Sequence, residues 1–95
     1  MTVLRMQHPV ADYDRWKRAF DSDPLDRAGS GVRSYVIHRS LSEPVVVFID
    51  LEFDDADGAQ AMLFRLHQMW TVGPAGILDA PEAWVLEAVE RVDGP

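Results

Sequence analysis

The chain has 95 residues, enough for one domain with a packed core and too few for two. It contains no cysteine, which excludes disulfide frameworks, thiolate zinc sites and cysteine nucleophiles and fits a reducing cytoplasm. Nine basic residues against sixteen acidic ones leave a net charge of −7, which repels phosphate backbones and argues against nucleic acid as a partner.

In chain order, Thr2 to His8 reads as a strand stopped by Pro9, because the residue before a proline is pushed into extended geometry. The segment MTVLRMQHP lacks the apolar run of a signal peptide, and no later stretch approaches the ~20 apolar residues of a membrane span. The expected setting is therefore the cytoplasm, away from membranes. Asp12 is a candidate helix N-cap, and Tyr13, Trp16, Ala19 and Phe20 follow on one helical face. SDPLDRAGSG, residues 22–31, is loop material with room for one helical turn. Val32 to Ser40 reads as a second strand, and Pro44 to Phe53 as a third and stronger one; the short link makes them a hairpin.

Asp54 or Asp55 then caps a second helix running to about Thr71, with an apolar arc of Ala59, Met62, Leu63, Leu66, Met69 and Trp70. VGPAGILDAP is read as a loop. Glu82 to Val92 suits either period; it is assigned to a fourth strand because the preceding pattern needs one to close it. The order βαββαβ is the ferredoxin-like arrangement: two helices on one face of a four-stranded antiparallel sheet, in a single domain spanning residues 1–95. In it, the first and second strands run parallel with the third between them.

Alternation sorts the faces of that sheet. Leu4, Met6 and His8, then Val32, Ser34, Val36 and His38, then Val45, Val47, Ile49, Leu51 and Phe53 form one apolar face, expected beneath the helices. The other carries Val3, Arg5, Gln7, Arg33, Tyr35, Ile37, Arg39, Val46, Phe48, Asp50 and Glu52. A face so rich in large apolar groups is expected to pack against a second copy, pairing its arginines with Asp50 and Glu52. A solvated face with surface ion pairs is the alternative.

The runs HPVADYDRW, GVRSYVIHR, VVVFIDLEFDD and APEAWVLEAVE, which together span nearly the whole chain, resemble small bacterial members of the dimeric α+β barrel superfamily. That superfamily includes antibiotic-biosynthesis monooxygenases and polyketide cyclases. The resemblance implies two protomers packed sheet to sheet, and a ligand cleft between each sheet and its own helices. It also implies chemistry on flat aromatic or polyketide-like molecules without metal or flavin. Other members degrade haem, and fold alone does not choose among these.

The topology gathers His8, His38, His67, Tyr13, Trp70 and Trp84 at one rim of that cleft. In the functional reading a histidine acts as general base toward a phenol or an acidic carbon, and Tyr13 donates to the developing oxyanion. Trp16, Trp70, Trp84 and Met69 then wall the ligand. In the structural reading His8 closes a strand, His38 is solvated and His67 complements the helix dipole. A shared metal is disfavoured: His8 and His38 are two strand steps, about 10 Å, apart. There is no Gly-rich phosphate loop, HExxH or EF-hand pattern, so no cofactor is expected. An axial histidine for haem, with His67 the candidate, is kept as a further alternative. Three readings remain open: a cofactor-independent monooxygenase or cyclase, a non-catalytic dimeric binding module, and a haem-binding protein.

Overall fold

A two-residue period builds β1, Thr2–Pro9: the even-numbered side chains Thr2, Leu4, Met6 and His8 are buried, and Val3, Arg5 and Gln7 between them are not. The computed structural model of the chain describes residues 1–71 and 81–94. β1 extends one residue past its expected end, onto Pro9. Proline is tolerated there because β4 pairs with β1 only as far as Gln7, so no donor is needed on that side. The next residue, Val10, donates its amide to the Val45 carbonyl at 2.7 Å and finishes the ladder toward β3.

α1, Tyr13–Asp21, starts at Asp12, which has extended backbone and accepts the Arg15 amide at 3.2 Å. β2 is Val32–Arg39 and β3 is Val46–Phe53. α2, Ala56–Thr71, is capped by Asp55, whose carboxylate accepts the Gly58 amide at 2.9 Å. Asp54 instead pairs with Arg33 at 2.6 Å. β4 is Glu82–Glu87, shorter than the Glu82–Val92 strand the sequence indicated. Its last pairing is Glu87 with Thr2, and after the Ala88 amide reaches the Met1 carbonyl the partner strand has run out. Within VGPAGILDAP, residues 72–80 lie outside the described residues.

The sheet order is β2-β3-β1-β4 with every neighbouring pair antiparallel, so β1 and β2 are parallel with β3 between them. This is the ferredoxin-like βαββαβ fold. Leu4, Val47, Ile49, Leu51 and Phe53 from the sheet meet Ala59, Met62 and Leu66 from α2 in a continuous buried core. α2 lies close on β1, β3 and β4, whereas α1 stands further off the sheet. Among the described residues no helix is long and apolar enough to cross a membrane.

One expectation about the faces is overturned. The β2–β3 register shifts between Val32 and Ser34, a bulge that makes Arg33 the extra residue. Beyond it Tyr35 pairs with Leu51 and Ile37 with Ile49, while Val36 pairs with Asp50 and His38 with Phe48. A single inserted residue flips every side chain that follows. Tyr35, Ile37 and Arg39 therefore face the helices: Tyr35 meets the Phe20 ring at 5.2 Å, and the Arg39 guanidinium lies 4.9 Å from the Tyr13 ring. Ser34, Val36 and His38 face outward. Val45, also expected inside, is half exposed before the strand begins.

Candidate functional site

The stand-off of α1 leaves an apolar cavity of about 130 Å³ between the sheet and both helices. Met6 and His8 of β1 and Ile49 and Leu51 of β3 form its floor. Trp16 and Phe20 of α1 face Met62, Leu66, Met69 and Trp70 of α2 across it. The α1–β2 loop supplies Leu25 and Arg27. That loop is held down from α2, where Arg65 donates to the Leu25 carbonyl at 3.3 Å and to the Ser30 hydroxyl at 2.6 Å. A volume near that of an engineered cavity that takes benzene (~150 Å³) accommodates a single ring.

His8 is the one histidine on this wall among the described residues, and it is 4% exposed. Its Nδ1 lies 3.4 Å from the Pro9 carbonyl, a long contact in which only the nitrogen can donate. In the tautomer that makes this contact the proton is on Nδ1 and Nε2 is a lone-pair acceptor. Trp16 meets the ring edge to face at 5.7 Å and fixes its plane. No buried side-chain nitrogen or oxygen among the described residues lacks a partner, so Nε2 keeps accessible surface, and the space His8 borders is the cavity. Burial lowers the His8 pKa, outweighing the smaller rise from the Pro9 carbonyl, so the neutral base is the form present at pH 7.

This has a measurable consequence. A histidine in the unfolded chain takes up a proton near pH 6.5, which folded His8 resists. Stability is therefore full above about pH 6.5 and falls as the pH drops through that value, levelling only below the folded-state pKa. Urea unfolding at about pH 7.5, 6.5 and 5.5 should show a decline of at most ~1.4 kcal/mol per pH unit from this group. His8→Gln should flatten that part of the profile. A wild-type curve indistinguishable from that of His8→Gln would contradict the assignment.

The structure separates the other predicted site residues. His38 lies at the same end of the sheet as His8, as expected, but the bulge puts it on the opposite face, in a shallow groove with Phe48 and Trp84. Trp84 pairs with Arg5 and shares that outward face; Ala83 and Val85 are the β4 residues that pack on the core. Neither His38 nor Trp84 reaches the cleft. His67 is exposed on α2 with its ring 5.5 Å from that of Trp70, and it does not line the cavity. Tyr13 also stands off the wall, packed between Trp16 and Arg39. Of the expected ligand-walling residues, Trp16, Trp70 and Met69 do line the space. Among the described residues no cluster of three metal-ligating side chains occurs. His67, the candidate axial ligand for haem, is not on the cavity wall.

Sequence reasoning missed Arg27. It sits among acidic and small residues with no periodicity, and only the packing of the loop against Phe20 carries it to the cavity. Arg5 pairs with Asp50, its cross-strand neighbour in the same chain, through two bonds of 2.9 Å.

Fold and cavity together define a ferredoxin-like α+β protein with an apolar cleft between its sheet and its helices. No family model and no curated sequence matches the chain. Solved structures do. A protein assigned as an antibiotic biosynthesis monooxygenase from Nitrosomonas europaea aligns over 93% of this chain and 89% of its own, at 13% identity and a TM-score of 0.69. A dimeric ferredoxin-like protein from an uncultured marine organism aligns over 99% and 100%, at 11% identity and 0.62. A NIPSNAP domain protein from Burkholderia xenovorans aligns over 98% and 100%, at 18% identity and 0.65. At such identities the likeness shows the fold alone, the ferredoxin-like βαββαβ arrangement.

Proposed function

We propose that the protein is a homodimer joined through its open sheet face, and that it binds a small aromatic molecule in the cleft of each protomer. His8 takes a proton from the bound molecule, a phenol or a carbon beside a carbonyl, and the resulting anion reacts without cofactor, either giving electrons to dioxygen, which oxidises it, or attacking a carbonyl of the same molecule in a cyclisation. The observation that carries this reading is His8, 4% exposed and set among Trp16, Trp70 and the mostly apolar wall of the cavity. The dimer is supported by the outward apolar residues Val36, Trp84 and Leu86, which are 48%, 42% and 37% exposed, and by the dimeric state of a ferredoxin-like neighbour.

Native mass spectrometry of the protein purified from its own host tests both parts. The expected spectrum is a dimer carrying a discrete added mass per protomer, and His8→Ala should abolish turnover of the compound so identified. A monomer without an adduct counts against the reading.

A second reading, binding without turnover, is favoured by the cavity size, which suits one ring and not a folded polyketide chain. An adduct recovered chemically unchanged after aerobic incubation would favour it.

A further inference from the structure

Apart from His8, the cavity wall described above is apolar or aromatic except at one place, Arg27. A permanent cation beside an apolar space is costly unless its donors are satisfied. Nη1 of Arg27 donates to the Phe20 carbonyl at 2.6 Å and lies 3.4 Å from Asp23 Oδ1. The guanidinium plane sits 4.0 Å above the Phe20 ring and 5.1 Å from that of Tyr35, which holds its orientation. Those contacts engage a single nitrogen. Nε–H and both hydrogens of Nη2 have no acceptor among the described residues, and with no buried unpaired nitrogen recorded they retain accessible surface.

Asp23 pairs with Arg27 through Nη1 and offsets part of its charge. Its Oδ1 already accepts the Arg27 backbone amide at 2.9 Å, and the side-chain contact is longer than a charge-assisted hydrogen bond. The cavity wall therefore carries a histidine at one place and, at another, an arginine whose Nε–Nη2 edge is uncommitted among the described residues.

We propose that Arg27 makes the cleft selective for single-ring aromatic acids: the ring fills the apolar volume and the carboxylate takes the free Nε–Nη2 edge. This rests on reading the cavity as a ligand site. A side-on guanidinium edge offers two parallel N–H donors at the spacing of carboxylate oxygens, which a neutral amide cannot accept equally. The chain's net charge of −7 opposes anion binding in general, so a preference for an anion has to come from this local cation.

Titration of the intrinsic fluorescence of the purified protein with benzoate and with benzamide, its neutral counterpart of similar shape, tests the proposal. Benzoate should bind about tenfold or more tightly than benzamide. Arg27→Gln should remove that preference while leaving benzamide affinity within about twofold, and Arg27→Lys should keep only part of it. Equal affinities in the wild-type protein overturn the proposal and leave the cavity reading standing. Binding of neither probe overturns both. Should Arg27→Gln fail to fold, the wild-type comparison decides alone.

Discussion

Trp84→Glu should leave the protomer folded and dissociate the proposed homodimer. Trp84 is 42% exposed in the single chain and lies beside Arg5 on the outward face, where a glutamate finds both water and a cationic neighbour. In a sheet-to-sheet dimer the same carboxylate would lose its water beside Phe48 and Leu86, with Arg5 already committed to Asp50. Desolvating it costs several kcal/mol, enough to raise the dimer dissociation constant by about a hundredfold or more. Trp84→Phe, which keeps an aromatic surface, should stay dimeric. Sedimentation over a range of concentrations reads the result. If Trp84→Glu remains as dimeric as the wild type, the open face is not the interface.

Trp16→Ala carries the largest expected cost to stability. Trp16 is 7% exposed and its ring contacts those of His8, Tyr13 and Phe20, at 5.7, 5.8 and 5.4 Å. Deleting a buried tryptophan removes its transfer energy and leaves a void, about 3–5 kcal/mol in all. For a domain of this size that lowers the melting temperature by roughly 12–40 °C. Here the void merges with an existing cavity, which is already open on that side because α1 stands off the sheet. A two-ring compound such as indole should then restore part of the lost stability in the variant and do far less for the wild type. Thermal melts with and without indole check both halves. A cost below about 1 kcal/mol would mean that α1 collapses onto the sheet and that Trp16 does not hold the cavity open.

The two substitutions act on opposite faces of one sheet, and their separation depends on which residues point which way. On β1 and β3 that was legible. Leu4, Met6 and His8, and Val47, Ile49, Leu51 and Phe53, alternate with polar or mixed neighbours, and all are buried as the two-residue period predicts. The caps at Asp12 and Asp55 and the apolar arc of α2 were legible for the same kind of reason: each is a local rule about backbone donors or a helical period.

β2 and β4 were not legible in this way. In VRSYVIHR both alternating sets contain apolar and polar residues, so no period selects a face; the bulge at Arg33, anchored by Asp54 from the end of β3, does. In EAWVLE the pairs Ala83 and Val85, and Trp84 and Leu86, are both apolar, and only the register against β1 sends the larger pair outward. That is why His38 and Trp84, which the sequence grouped with His8, left the cleft. Arg27 entered it for the complementary reason: its place depends on a loop pinned by Arg65 from forty residues away in the chain. Local chemistry thus determined the elements, their order and the inward face of His8. The long-range pairings of strand and loop decided which charged and aromatic groups share a space with it, because a side chain's face is a property of its partners as much as of its own neighbours.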